Sequence, residues 1–447
     1  DILSRRILSW LCQSPLLLND ADVRFYRRFL RSLGRQVRAL KRTAHQTRNG
    51  VPKLQALIAL TYAALCMAGQ ARSLRKASRR LVDELNFQIL PDGGHISRNP
   101  DALIELLLDL LPLRQAYSSR NVAPPPALLN AIDRMMPMLR FFRHGDGNFA
   151  HFNGMGATHP DLLATVLAYD DARGAPLSAA PHSGYQRVET ANAVLLMDTG
   201  RPPPMALSQE AHAGCLSFEL SYRTQRIIVN CGIPATNRET WRQVARATAA
   251  HSTVNFHDTS SCRFLESPRL RKLVFGAPII GGLSDVRVSR DDRPDGVVLR
   301  ASHNGYAHLA HVIHHRSLML VADGGTLEGE DSFELADASK LPDNGSDEFA
   351  VRFHLHPSVK ANRLTDGHGV MLLMPDRHVW AFNAFENAVE IEESVYLAGA
   401  DGPRRTVQIV IYGAARKNPR IRWSFAHKTP SSQGERVIEE HQPELPL

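Results

Sequence analysis

Apolar periodicity divides the chain in two. Through the first third, apolar residues recur near every 3.6 positions. They predict helices over Ile2–Ser14, Asp20–His45, Pro52–Met67, Ala71–Ile89, Pro100–Ser118, Pro125–Phe142 and Pro160–Tyr169. Pro52, Pro100 and Pro125 stand where a first helical turn tolerates proline, and Asn99 is a suitable N-cap before Pro100. The connections are short and rich in Gly, Pro, Asn and Asp, which favours antiparallel helical hairpins. Leu54–Ala71 carries no charge, but it holds Gln55, Thr61, Tyr62, Gly69 and Gln70. A membrane span wants about 20 mostly apolar residues, so this stretch reads as a buried helix.

After about Asp170 the texture changes. Gly174–Gly184 is a small-residue linker, and from Tyr185 onward short runs alternate or are β-branched. Predicted strands are Ala193–Asp198, Leu216–Tyr222, Arg226–Asn230, Ser252–Phe256, Gly296–Ala301, Ser317–Ala322, Glu348–His356, Gly369–Leu373, Val379–Ala384, Glu390–Tyr396 and Thr406–Tyr412. The order is helices first and strands second, an α-then-β multidomain chain with an antiparallel sandwich or larger sheet assembly. It lacks the alternation of a doubly wound fold, and no GxGxxG or Walker motif is present, which argues against nucleotide chemistry.

Composition adds a direction. Apolar residues make up 43% and charged residues 22% of 447, which excludes whole-chain disorder. The 53 Lys and Arg exceed the 45 Asp and Glu by 8, so an acidic partner fits: nucleic acid, an anionic membrane or an acidic polysaccharide. Basic residues such as those in Arg24–Arg48 have no aromatic interleaving or known motif, which disfavours nucleic acid. Five scattered cysteines with no CxxC pair make neither a disulfide framework nor a cysteine zinc site.

Four clusters concentrate polar residues. Pro91–Pro100 turns sharply at Gly93 and Gly94 and projects His95, Arg98 and Asn99 from a helix N-terminus; it reads as an anion site or as a capped turn. Arg143–Gly154 carries His144 and His151 in a glycine- and asparagine-rich loop, shaped for function or an ordinary surface loop. In the third cluster Glu210 and His212 would share one strand face, and His212 and His251, with Asn230, could meet across neighbouring strands. Two imidazoles and an oxygen ligand would make an open zinc site; a hydrogen-bonded histidine pair is the plainer alternative. The fourth, His308–His315 with Arg352–His356, reads as a polar sheet face.

At these residues the chain resembles the heparinase II/III-like polysaccharide lyases. The match runs through His212-Ala-Gly-Cys-Leu-Ser-Phe-Glu-Leu, Val229-Asn-Cys-Gly and Ala249-Ala-His-Ser-Thr-Val, in the family's order. Asp92-Gly-Gly-His-Ile, Arg352-Phe-His-Leu-His-Pro and Glu392-Glu-Ser-Val-Tyr extend it over roughly residues 85 to 415. The resemblance implies an incomplete (α/α) toroid over 1–173, with an N-terminal portion expected to lie outside this chain. A large antiparallel β-sandwich domain follows over 185–447. It implies β-elimination on a uronic-acid-containing polysaccharide in a cleft between the two, with no membrane span. The chemistry needs a neutraliser of the C5 carboxylate, a base and an acid. By position, His95 matches the toroid loop, with Arg98 and Asn99 as neutralisers. His212, Asn230 and His251 match a zinc-ligand set in which relatives carry Asp at the middle position, so zinc is implied but weakened, because a neutral amide binds it poorly. Glu210 stands where some relatives carry a catalytic His. Relatives use a toroid Tyr; His144–Asn153 has none, leaving His144 or His151, with Tyr185, Tyr306 and Tyr117 as further options. A non-catalytic acidic-glycan-binding protein of the same fold is the rival. Family members are commonly periplasmic or secreted, while the sequence leaves cytoplasmic residence and oligomeric state open.

Overall fold

The structure, a computed structural model, describes residues 2–169, 174–235, 239–336 and 347–428. Among the described residues eight α-helices come first: α1 (Ile2–Cys12), α2 (Ser14–Leu18), α3 (Val23–Thr43), α4 (Val51–Cys66), α5 (Ala71–Gln88), α6 (Asp101–Ser119), α7 (Pro126–Phe141) and α8 (Pro160–Leu167). The expected first helix ends at Cys12 and restarts as α2, whose opening turn holds Pro15, a residue with no N–H to continue the preceding ladder. Asp22 begins α3 by accepting from the Phe25 amide at 2.6 Å. The uncharged stretch is α4; Leu54, Ala56, Ile58 and Ala59 on it are wholly buried. Among the described residues no helix is long and apolar enough to cross a membrane.

Antiparallel sheets follow. A five-stranded sheet runs in sequence order: β1 (Ala179–Ala180), β2 (Tyr185–Glu189), β3 (Ala193–Asp198), β4 (Phe218–Tyr222) and β5 (Gln225–Ile228). An eight-stranded sheet spans from Lys360–Arg363 at one edge to Val286–Arg293 at the other, and a four-stranded sheet joins Glu390–Tyr396, Arg404–Ala414, Glu348–His354 and Val254–Phe256. β3 explains how the halves join. It is buried throughout; Val194 and Leu196 pack into the helical core, whereas Ala193, Leu195 and Met197 pack into the sandwich core. Alternation along a strand sends neighbours to opposite faces, so one apolar run serves two cores.

The helices-then-strands order is as the periodicity predicts, and three strands match to the residue: Ala193–Asp198, Gly369–Leu373 and Glu390–Tyr396. The linker differs, since Gly174–Gly184 contains β1. Strands Val286–Arg293, Thr326–Leu335 and Arg420–Lys428 were not expected; the first is a mostly exposed, charged edge whose composition hides its pairing. The expected domain limits fall partly on residues 170–173 and 429–447, outside the described residues.

Candidate functional site

A cleft of about 490 Å³ opens between the helices and the segments that follow β3 and β5. Its helical wall holds Gln55 of α4, His95, Ser97 and Asn99 of the α5–α6 turn, and Asp101 and Glu105 of α6. Arg48 precedes α4. The opposite wall holds Gln209, Glu210 and Arg242, the last from α9 (Glu239–Arg246). The α5–α6 turn is held by packing: Gly93 has φ +87°, and a Cβ there would lie 1.9 Å from the Arg134 carbonyl oxygen. Only glycine fits.

Three expected residues meet here. His95 is buried, with Nε2 2.8 Å from Gln88 Oε1 and Nδ1 2.7 Å from Ser97 Oγ. Burial pushes its pKa down to about 4, so it is neutral at pH 7. Asn99, expected as the N-cap, lies one residue before the Pro100 cap and accepts from the Asp101 amide at 2.9 Å, and its Nδ2 reaches Glu210 Oε2 at 3.5 Å. Glu210 is half exposed and paired with Arg242 Nη2 at 2.8 Å. The wall is thus mixed in charge, with carboxylates Asp101, Glu105 and Glu210 against Arg48 and Arg242. Glu105 is further held by Gln55 Nε2 at 2.8 Å and by Arg5 Nη2 at 2.9 Å.

Arg98 is a correction. It is buried beside the cleft and all five of its N–H groups are consumed within the protein. They go to the carbonyls of Ser183, Gly184, Gly200 and Arg201, with Gly184 and the Asp198 carboxylate sharing Nη2. Its guanidinium also lies 4.8 Å from the Tyr185 ring centroid. Fully engaged, it has no hydrogen left to neutralise a substrate carboxylate; it ties the toroid loop to the ends of β2 and β3.

The second loop is likewise turned inward. His144 lies between Glu219 Oε2 at 3.0 Å and Ser221 Oγ at 2.9 Å. His151 lies 3.2 Å from Arg226 Nη1 and 3.4 Å from the Tyr396 hydroxyl. Glu219 is the hub, accepting from the amides of His151 and Asn230, each at 2.9 Å. Hydrogen bonds from both histidines hold its carboxyl well below the usual range against the opposing effect of burial. Burial pushes both imidazoles down. Neither histidine lines the cleft. Nor do the tyrosines: Tyr185 donates to the Arg98 carbonyl at 2.6 Å, Tyr306 donates to the Val254 carbonyl at 3.0 Å, and Tyr117 pairs with Ser78 at 2.6 Å.

His212 and His251 do meet, with Nδ1 and Nε2 2.9 Å apart, while His251 Nδ1 faces the Ala247 carbonyl at 2.8 Å. This is a hydrogen-bonded pair in which His251 presents its Nε2 lone pair to the Nδ1–H of His212. Asn230 Oδ1 is spent on the Ser252 amide at 3.0 Å, and its Nδ2 and His212 Nε2 are buried without a partner. Two imidazoles and a committed amide supply no anionic ligand, and among the described residues no group of three or more His, Cys, Asp or Glu is arranged to hold a metal. The donor set does not fit zinc, and no step is derived through it. The fourth cluster is structural: His354 Nε2 faces the Ala249 carbonyl at 2.9 Å, and His314 Nε2 faces Asp331 Oδ1 at 2.7 Å.

Sequence reasoning did not single out Arg48, Asp101, Glu105 or Arg242. One signal was available: Asp101, Glu105 and Asp109, spaced by four along a largely apolar helix, share a face.

Comparisons with known proteins agree with this architecture. The family described as Heparinase II/III-like, C-terminal, matches residues 172–424. FtsZ-localized protein C of Caulobacter vibrioides (strain NA1000 / CB15N) is 34% identical over 435 residues, covering 95% of this chain and 73% of that protein. The crystal structure of heparan sulfate lyase HepC from Pedobacter heparinus superposes with TM-score 0.71 at 15% identity, over 95% of this chain and 67% of that one. The crystal structure of Heparinase III gives TM-score 0.73 at 14% identity, over 95% and 68%. At such identities the structural likeness speaks to fold, and the sequence matches speak to descent: the chain belongs to the heparinase II/III-like family.

Proposed function

We propose that the protein binds an acidic glycan in the cleft between helices and sandwich, on a polysaccharide-lyase scaffold that does not carry out β-elimination. The observation that supports this reading is the lining. Among the described residues of the cleft there is no tyrosine, and His144, His151, Tyr185 and Tyr306 are bonded elsewhere. Elimination needs a proton acceptor aimed at C5 and a donor aimed at the leaving oxygen. Of the residues singled out from the sequence, the cleft offers a neutral, doubly hydrogen-bonded His95 and an ion-paired Glu210; His159, Glu105 and Asp101, whose pKa burial pushes up to about 6, are its other titratable acid–base groups.

One observation favours the lyase reading: Glu210 and Asn99 stand 3.5 Å apart in the cleft, a carboxylate base beside an amide neutraliser. Ultraviolet absorbance during incubation with uronate polymers separates the two. Binding with a flat trace is the expected result. A rise from unsaturated uronyl product, lost in Glu210→Gln, would establish elimination instead.

The zinc-free reading has its own test. Elemental analysis is expected to find far less than one zinc per chain. Asn230→Asp, which restores a carboxylate beside two imidazoles, is expected to raise it toward about one. Equal zinc in both proteins would overturn the assignment.

The name of the 34% identical relative supports a place of work. We extend it to this chain as localisation with FtsZ, to be tested by imaging a fluorescent fusion beside labelled FtsZ. A diffuse fusion would remove this element and leave the cleft reading standing.

A further inference from the structure

The outer face of the eight-stranded sheet carries a second hollow, of about 570 Å³, which shares no residue with the cleft. It crosses the strands Val286–Arg293, Gly296–His303, Val312–Val321 and Thr326–Leu335. Two rows of the ladder make its floor. In one, Ser302 lies between Arg287 and His315; in the other, Arg300 lies between Ser289 and Ser317. Ser332 and Glu330 continue the two rows on the next strand. The intervening Leu299, Ala301 and Leu318 pack into the sandwich core, so these rows face outward. Short and long side chains alternate, and the four serines make a track across four strands, roughly 14 Å at about 4.8 Å per strand.

The track is unspent. Among the described residues none of the four hydroxyls makes a hydrogen bond, and Arg300 makes neither a hydrogen bond nor an ion pair. Ser302 is only 9% exposed, yet it lines the hollow with its hydroxyl unpartnered. The other charges at the margin are matched: Arg287 with Asp285 at 3.2 Å, His315 with Glu334 at 3.1 Å and Glu330 with Arg420 at 3.4 Å. Arg300 is the cation left over. Strand faces favour β-branched and aromatic residues, and serines in their place leave a trench. Arg287 and Arg300 stand diagonally across it, within reach of each other as long side chains, a like-charge arrangement that an anion between them would relieve.

The donors define the ligand. Guanidinium forks match phosphate oxygens, and hydroxyls donate to them as well. Donors that converge on Ser302 from both neighbouring strands and from Arg300 on its own strand suit a tetrahedral oxyanion better than a planar carboxylate with two oxygens. The hollow is longer than one phosphoryl group, and its remaining floor is polar. We infer that it is a binding site for a soluble phosphate ester. The phosphoryl group sits over Ser302 between Arg287 and Arg300, and the rest of the molecule lies along Ser317 and Ser332. This site stands or falls independently of the cleft reading.

The test is calorimetric titration of the whole chain with inorganic pyrophosphate at constant ionic strength. Saturable binding at one site per chain is expected. Arg300→Ala is expected to weaken it about tenfold or more, the scale of a charge-assisted hydrogen bond, with an unchanged melting temperature because no contact within the protein is lost. Arg300→Lys should recover only part, since an ammonium lacks the fork. Ser302→Val keeps every charge, suits a strand and fills the floor, and it should weaken binding as Arg300→Ala does. Wild-type protein without saturable binding, or Arg300→Ala within twofold of wild type, would overturn the site.

Discussion

Acidification from pH 7 is expected to destabilise this protein progressively once pH falls below about 6.5, well above the range where carboxylates protonate. Among the described residues eight histidines are buried: His95, His144, His151, His212, His251, His303, His314 and His354. Burial is the first cause that pushes each below its ordinary value, to about 4 for His95 and about 3 for His354. The unfolded chain therefore takes up protons that the folded chain refuses. Stability is full above the unfolded value near 6.5 and falls as pH drops below it, until each folded value is reached. Each group costs roughly 1.4 kcal/mol per pH unit in that window. At pH 5.5 His95 and His354, with folded values of about 4 and about 3, together cost about 3 kcal/mol, and the other six act in the same direction. Glu219 and Asp331, held low by their cationic and histidine partners, add a further loss only below about pH 4.5. Circular dichroism and tryptophan fluorescence across pH check this. A midpoint below pH 4 would mean that these imidazoles are hydrated or charged in the native protein.

Arg98→Ala is expected to cost about 3–5 kcal/mol of stability, the scale for removing one partner of a buried ion pair. The Asp198 carboxylate would be left buried without its cation, and four backbone carbonyls would lose a hydrogen bond, of which Gly184 keeps one from the Thr199 amide. Arg98→Lys should rescue little, since an ammonium has three donors in a different geometry against the five of guanidinium. Urea unfolding at pH 7.5 measures both. The alternative, Arg98 as a binding residue, predicts normal stability with lost glycan affinity, and that result would return it to the cleft. The same contrast separates Arg98 from Arg48: the first is a fastening between loop and sheet, the second an open side chain of the cleft mouth.

How far the sequence carried is visible in particular residues. The helix period and the strand alternation are local properties, so the α-then-β order and elements such as Ala193–Asp198 could be read directly. Val286–Arg293 could not, because its ladder partner supplies the reason it is a strand and its own side chains face water. Polar clusters were legible as clusters. Their direction was not: His95 and Asn99 face the cleft, whereas Arg98, between them and the sheet, and His144 and His151 face inward.

That division has one physical cause. By itself the sequence determined what depends on neighbours along the chain: periodicity, caps, turns at Gly93, the run of motifs from His212 to Val254 and a neutral amide, not a carboxylate, at Asn230. The tertiary structure alone decided what depends on distant partners. Arg98 meets Asp198, His144 and His151 meet Glu219, and Asp101 and Glu105 share a cleft with Glu210 and Arg242 because β3 packs the helical core on one face and the sandwich core on the other. A polar side chain announces that it must be satisfied; which group satisfies it, or whether it is left for a ligand, is fixed by packing between segments a hundred residues apart.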